Sequence, residues 1–378
     1  MAVADKHEVW VISRKKNVAA LREFLNLRPE GQRVHLVALD LGPWMLRLKR
    51  LGALGLQFYY DRWQSRAGAI AHALNEQVPF DVAHHVTFSS DWTRAGISTV
   101  PTRFVWGPVG GGVNAPAKLL PTLGWRGVLT ETIRVPVRWA MRFRPSSRSN
   151  WRAADVVLVQ NAESAALAPR HKRVVLLPHS TALSLQAMPP TRDRTKEIAV
   201  VGRLIAWKGG LLALSAFRRI KDPGATLTFF GRGPEQRRLM RAAAKWGLSD
   251  RVSFEGSIPR ERLLLRVAQA GAVIHAAVHD ESPLAVGEAL TLGTPVVCLK
   301  RGGPAELLRR WTQSPGHAVD VGSPATTASR IASAVDAYLA DPPSVPLTPL
   351  VPQPSFAESL LRVYESPSGP RELDLATN

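Results

Sequence analysis

Residues able to do chemistry gather in two stretches of this chain. One, 271–307, reads GAVIHAAVHDESPLAVGEALTLGTPVVCLKRGGPAEL and carries the acids Asp280, Glu281 and Glu288. An acid at a helix mouth and another eight positions on, inside the helix, can face one crevice. The plainer reading is solvated acids favoured by the helix dipole. The other stretch runs Gly202-Arg203-Leu204-Ile205-Ala206-Trp207-Lys208-Gly209-Gly210. Here two cations stand among glycines at a strand-to-helix junction. Backbone N–H groups and the helix dipole attract an anion to such a place, and Arg203 and Lys208 neutralise it, which suits a diphosphate. Gly231-Arg232-Gly233-Pro234 ends the next strand. Three further glycines, Gly110, Gly111 and Gly112, follow another strand directly, where they let a ligand approach the backbone closely. His84 and His85 end a strand as well, a position at which a histidine is more often structural than catalytic.

The elements that must position these groups are legible from the pattern. A strand at 7–13, a helix at 17–27 and a strand at 33–39 make a βαβ opening. Helical patterns follow at 46–56 and 59–76, strands at 80–87 and 102–105, and a basic helix at 125–144 in which Pro136 is either interior or marks the true start. On that helix Arg134, Arg138 and Arg142 share one face and Val135, Trp139 and Phe143 an adjoining one. The face is either solvated or docks on anionic lipid. Strands at 154–161 and 173–177 close the first series. A polar, proline-bearing linker at 184–196 leads to a second one. Its strands are expected at 198–201, 226–230, 252–255, 271–278 and 294–299. Its helices are expected at 211–219, 260–270, 284–292 and 326–339, with another opening at Ala305. Gly293 is placed as the C-cap of the 284–292 helix. A Pro-rich link at 342–354 and a helix at 356–364 follow. In parallel sheets ligands sit beyond the carboxyl ends of the strands, where all the loops named above fall.

Taken in order, Gly202-Arg203-Leu204…Lys208-Gly209, Gly231-Arg232-Gly233, Asp280…Glu288-Ala289, Gly293-Thr294-Pro295-Val296-Val297 and Gly302-Gly303-Pro304-Ala305-Glu306 resemble the signatures of the family 4 retaining glycosyltransferases, glycosyl transferases group 1. The string from Trp106 to Gly112 resembles a subset of that family. The resemblance implies an α/β GT-B fold: two Rossmann-like domains with parallel sheets facing across a cleft. Residues 1–183 would form the acceptor-side domain, 184–196 the linker and 197–341 the nucleotide-sugar domain. Residues 342–366 would cross back to the first domain, and 367–378 would form a polar, disordered tail. It implies a nucleotide diphosphate sugar as co-substrate, a saccharide or lipid-linked acceptor, and no metal or other cofactor, because cations stabilise the departing diphosphate. Arg203 and Lys208 would take that role. Gly202, Gly231 and Gly233 would frame the donor, Glu288 would hold the ribose hydroxyls, and Gly110, Gly111 and Gly112 would form the acceptor-side loop. His85, with His84 as the alternate, would sit at the transferred sugar. Asp280 or Glu281, with Ser282, Pro283 and Leu284, would hold the donor sugar. The family commonly has Glu where this chain has Asp280, so the register of the two acids stays open. The family's glycine pair in the first loop is replaced by Ser13-Arg14-Lys15-Lys16-Asn17, which makes Lys15 and Lys16 candidate contacts for a charged acceptor.

Composition bounds the rest. The 378 residues suit two domains, and 45% hydrophobic with 21% charged residues is a core-forming balance. One cysteine, Cys298, excludes a disulfide framework and fits a reducing, cytoplasmic setting. No run of apolar residues is long enough to span a membrane, and no leader pattern is visible. A net charge of +19 implies an anionic partner. Zinc-finger spacing and RNP signatures are missing, so specific nucleic-acid binding is not expected, whereas peripheral contact with an anionic membrane is. A GT-B nucleotide-sugar epimerase, or a catalytically degenerate basic binding protein, are the rival readings.

Overall fold

The computed structural model describes residues 3–86, 90–179, 193–313, 315–344, 346, 350–352 and 354–366. Thr87, most of the expected linker and the tail 367–378 lie outside the described residues. The chain forms two α/β units of parallel strands. The first contains β1 (Val9–Ser13), α1 (Lys15–Asn26), β2 (Val34–Ala38), α2 (Pro43–Leu48), α3 (Gly52–Gln77), β3 (Val82–His85), β4 (Arg103–Val109), α4 (Gly124–Met141), α5 (Pro145–Ala153), β5 (Val156–Val159), α6 (Ala162–Ala165) and β6 (Arg173–Leu176). β1 pairs with β2, and β3, β4, β5 and β6 form a four-stranded sheet in sequence order. The second unit contains β7 (Glu197–Val201), α7 (Gly210–Phe217), β8 (Thr226–Phe230), α8 (Gln236–Lys245), β9 (Val252–Gly256), α9 (Arg260–Gln269), β10 (Ala272–His275), α10 (Leu284–Thr291), β11 (Val296–Leu299), α11 (Gly302–Arg310), β12 (Gly316–Val319) and α12 (Pro324–Ala340). Its sheet order is β12-β11-β10-β7-β8-β9.

Burial explains why this second sheet read so clearly. Residues Val296–Leu299 and Ala272–His275 are buried along their whole length, as strands covered on both faces must be. Ile198, Leu212, Phe217, Leu227 and Val335 pack on one face of the sheet, and Val273, Val286, Leu290, Leu307 and Trp311 on the other. Cys298 lies within the second cluster, where burial pushes its thiol up to about 12, so it is an inert core group. Below the sheet Arg194 donates to the carbonyls of Pro343, Ala268 and Gly293, and burial lowers it to about 10.

Two segments tie the units together. Residues 117–123 belong to the first unit by sequence, yet Leu119 and Leu123 are buried in the second unit's core beside Leu204, Leu212 and Leu239. The last helix, α13 (Phe356–Glu365), starts in a capping box of Ser355 and Glu358 and crosses back. Its Leu360 and Val363 pack among Val105, Val156, Leu158 and Leu177. Arg103 donates to the carbonyls of Val363 and Tyr364. His84 lies 2.6 Å from the Tyr364 hydroxyl through Nδ1 and 2.9 Å from the Gly107 carbonyl through Nε2. The carbonyl can only accept, so Nε2 carries the proton and Nδ1 accepts from the tyrosine.

Burial lowers His84 to about 4, against the Gly107 carbonyl, which raises it. Between its ordinary value and 4 the unfolded chain therefore binds a proton that the folded chain refuses, and stability falls as pH drops through that window. The midpoint of thermal unfolding should decline from pH 7 to pH 4, with a shallower slope in His84→Gln. Equal slopes in the two proteins would remove His84 as a source.

Candidate functional site

In the order β12-β11-β10-β7-β8-β9 the strand sequence reverses between β7 and β10, and the crossovers leave for opposite faces. That is the switch point at which a doubly wound sheet opens a crevice beyond its carboxyl ends. The crevice here is lined by Gly202, Arg203, Lys208, Glu235 and His275, with Thr122 contributed by the segment 117–123. Gly202 and Gly231 both have positive φ, and a Cβ on Gly231 would stand 2.0 Å from the Gly202 carbonyl oxygen. A Cβ on Gly233 would stand 2.2 Å from the carbonyl oxygen of Leu204. These glycines thus let the ends of β7 and β8 close against each other and leave the crevice floor bare.

Lys208 reaches the crevice from the turn before α7. The next residue, Gly209, has φ +73°, and a Cβ there would lie 1.8 Å from the carbonyl oxygen of Ala276. The turn can therefore press against the end of β10, and that contact brings Lys208 onto Asp280. The Lys208 ammonium donates to Asp280 Oδ2, and His275 Nε2 lies 3.0 Å from the same oxygen. Burial would push the Asp280 carboxyl up, but the His275 bond and charge and the Lys208 ammonium outweigh it and hold it well below the usual carboxylate range. Asp280 is therefore an anion at neutral pH, and it fixes Lys208 at the mouth of the crevice. His279 stacks on Trp207 at 5.5 Å and lies 3.3 Å from Glu131. Burial, then the charge of Arg134, lowers it to about 4, so it is neutral at pH 7.

Glu281, the adjacent acid, points the other way. It accepts from the Gly111 N–H at 2.7 Å, from Asn161 Nδ2 at 2.8 Å and from Ser164 Oγ at 2.8 Å, all in the first unit. Its backbone carbonyl accepts from Asn161 as well. The triple-glycine loop is what allows this approach. Gly111 has φ +108°, and a Cβ on Gly112 would collide with the Glu163 backbone at 2.2 Å. Glu163 in turn accepts from the Gly302 N–H at the start of α11, and Arg301 donates to the Asn114 carbonyl. The second unit's acid loop and the first unit's glycine loop are thus stitched together by hydrogen bonds. Sequence reading missed Asn161 and Ser164. The signal was there, since Asn161 caps α6 through its bond to the Ser164 N–H.

The other expected residues take these places. Glu288 on α10 pairs with Arg260 at 2.8 Å rather than standing free. Ser282 is buried, Pro283 is the N-cap of α10 and Leu284 opens the helix half exposed. Gly110 is buried beside Gly111 at the end of β4. His85 is buried on the strand face opposite His84, with Nε2 3.3 Å from the Tyr60 hydroxyl. The arginine face of α4 is turned inward. Arg134 makes a two-pronged pair with Glu131, Arg142 donates to the buried Asp91 at 2.7 Å, and Arg138 bonds Asn114. What α4 shows to solvent is largely apolar: Trp125, Leu129, Ile133, Val137 and Trp139, with Phe143 just beyond it, are exposed. Pro136 lies inside the helix and does not start it.

A parallel sheet with a basic switch-point crevice, facing a second α/β unit across a bonded seam, is the GT-B fold. Residues 186–342, which take in the second unit, match the family model of the glycosyl transferases group 1. The 2-deoxystreptamine glucosyltransferase of Streptomyces kanamyceticus is 31% identical over 119 residues, which is 31% of this chain and 31% of that protein. The whole-chain likeness is one of fold. Sucrose-phosphate synthase from Thermosynechococcus elongatus superposes with a TM-score of 0.57 at 16% identity, over 95% of this chain and 98% of that one. HepE of Anabaena, in complex with UDP, superposes with a TM-score of 0.50 at 15% identity, over 87% and 94%.

Glu281→Ala would leave the Gly111 N–H, Asn161 and Ser164 without their shared acceptor. Unsatisfied groups of this kind cost about 1–3 kcal/mol. Urea unfolding should show a loss of that order for Glu281→Ala and a smaller one for Glu281→Gln, which keeps one acceptor oxygen. A loss below about 0.5 kcal/mol, the size of an ordinary surface substitution, would mean that the seam does not depend on this carboxylate.

Proposed function

We propose that the chain is a retaining glycosyltransferase. It moves a hexosyl group from a nucleotide diphosphate sugar to a saccharide or lipid-linked acceptor, in polysaccharide or glycolipid synthesis. The observation that carries this reading is the meeting of Arg203, Lys208 and the Asp280 loop at the switch point of a group 1 domain. The UDP complex of HepE supports a uridine diphosphate donor.

Departure of the diphosphate develops negative charge at the leaving oxygen, and preorganised cations placed there lower the barrier. Arg203 lines the crevice and Lys208 is held at its mouth by Asp280 and the turn at Gly209. These two cations supply the stabilisation with side chains, so the reading has no call for a metal. Glu288 lies on α10 next to the acid loop; Arg260 bonds only its Oε1, so Oε2 can accept from ribose hydroxyls. Both Glu281 oxygens serve the interdomain seam. Asp280 is then the acid nearest the donor, and Ser282 and Leu284 offer backbone N–H groups that Pro283 lacks. His85, at the carboxyl end of β3, would sit at the transferred sugar. In this scheme the leaving phosphate takes the acceptor proton, so attack occurs on the face the donor leaves and configuration is kept.

No helix among the described residues is long and apolar enough to cross a membrane. Contact with the inner face of a membrane, in the cytoplasm, would run through the apolar stripe of α4, flanked by Arg126 over Trp125 and Arg148 over Phe143. The inward-turned Arg134, Arg138 and Arg142 would take no part. Replacing Trp125 and Trp139 by Ser should abolish co-sedimentation with anionic vesicles. Retained co-sedimentation would move the contact elsewhere.

Lys208→Ala and Arg203→Ala should each lower kcat by about a hundredfold, or roughly 3 kcal/mol of barrier, with a UDP-sugar donor. Near wild-type turnover in either would end the leaving-group assignment. Glu288→Ala should raise the donor KM and spare kcat, since a ribose contact is equal in ground and transition states. An unchanged KM would take Glu288 out of the site.

A further inference from the structure

The corner between β1 and α1 holds a concentration of positive charge that the donor chemistry does not use. Arg14 is the N-cap of α1, Lys15 and Lys16 are its first two residues, and no acid stands in its first turn. Lys49, which follows α2, closes on the same corner. Burial lowers its pKa first, and the charges of Arg14 and Lys16 lower it further, against the single opposing carboxylate Asp40. Asp40 meets Arg14 at a long 3.4 Å. Arg14, Lys16 and Lys49 therefore gather around one anion, Asp40.

Tyr59 on α3 forms the wall. It is 4% exposed, and the Arg14 guanidinium and the Lys49 ammonium lie 5.6 and 5.2 Å from its ring centre. Its hydroxyl is buried and has no hydrogen-bond partner of ordinary geometry, although the Arg14 guanidinium lies close enough to act on it. Buried hydroxyls are normally bonded, so this one is a donor in want of an acceptor.

The corner lies at the carboxyl edge of the first unit's strands. Trp10 meets Phe80 with ring centres 5.4 Å apart, and Ile12 packs on the cluster of Ala71, Ala83 and Val100, so β1 runs alongside β3 in the same direction. The end of β1 thus lies on the same edge as His85. Neighbouring residues of α3 serve both places: Tyr59 lines the corner and Tyr60 reaches His85.

We propose that this corner is the acceptor-side anion site, with Arg14, Lys16 and Lys49 as its cations and the Tyr59 hydroxyl as a further donor, and that the acceptor carries a phosphate. The proposal rests on the transferase reading and names the acceptor's chemistry. The phosphate belongs either to a soluble phosphorylated sugar or to a lipid headgroup, and both would be held by the same charge-assisted bonds.

The full chain is titrated calorimetrically with inorganic phosphate in the presence of saturating UDP, and is sedimented with phosphatidylcholine vesicles with and without phosphatidic acid. The Lys16→Gln/Lys49→Gln double variant and Tyr59→Phe are treated alike, and UDP alone is titrated into every protein. Phosphate should bind beside UDP, at least tenfold more weakly in the double variant and severalfold more weakly in Tyr59→Phe, with UDP affinity unchanged. If phosphatidic-acid vesicles show the same variant dependence and inorganic phosphate does not bind, the source is a lipid headgroup, and the site stands. Competition between phosphate and UDP, equal affinity in wild type and variants, or binding to neither phosphate nor phosphatidic acid would overturn it. Failure of UDP alone to bind would strike the donor reading, which is a separate result.

Discussion

A carboxylate taken out of water must be given hydrogen-bond donors, and Glu281 receives all of its described donors from the opposite unit. Much of the seam follows from that need. The glycine loop must come within bonding distance of the acid loop, so Gly111 adopts positive φ and Gly112 packs on the Glu163 backbone with no room for a Cβ. Asn161 must present its amide, which it does as the cap of α6. Once Glu281 is fixed, Asp280 beside it is directed to the opposite side of the backbone, onto Lys208 and His275. Two adjacent acids thereby do different work: one closes the seam and the other charges the crevice.

Charge on this molecule is distributed unevenly, and the distribution says more than the net value. The arginines of α4 are matched by Glu131, Asp91 and Asn114, so they add rigidity to the cleft wall rather than an open field. Arg194 is spent on carbonyls beneath the second sheet. Positive charge is also gathered at the crevice beside Gly202 and at the corner beside Tyr59. Both are strand ends, where helix N-termini point the same way, so the field of the backbone and that of the side chains reinforce each other.

Most strands of the second unit were legible, though not β12, because fully buried parallel strands such as Val296–Leu299 write themselves as unbroken apolar runs between glycine turns. The same signal placed Arg203 and Lys208 at one junction and Asp280 at another. That they meet depends on strand order, which no local pattern encodes. Local pattern misled elsewhere too. The stretch 46–76 read as two helices of other bounds, whereas tertiary packing of Tyr59, Trp63 and Ala67 carries α3 unbroken from Gly52 to Gln77. The helix expected at Ala305 starts at Gly302, since Pro304 is tolerated in a first turn whose N–H groups lack intrahelical partners. The helix α8 was not read, its apolar positions being mostly small alanines. Spacing of Arg134, Arg138 and Arg142 established a shared face, but periodicity cannot say whether a face looks in or out. Asp91, far off in sequence, decided that.

The return of α13 to the first unit has a consequence for how the chain acquires its structure. Val105, Val156, Leu158 and Leu177 make a core that lacks its outer layer until Leu360 and Val363 arrive. During synthesis that layer emerges after the whole of the second unit, which can condense first. The half of the molecule that is translated first is therefore finished last. Until then an apolar sheet face and the imidazole of His84 stay open to water, and this half-built domain is the species that a chaperone would meet.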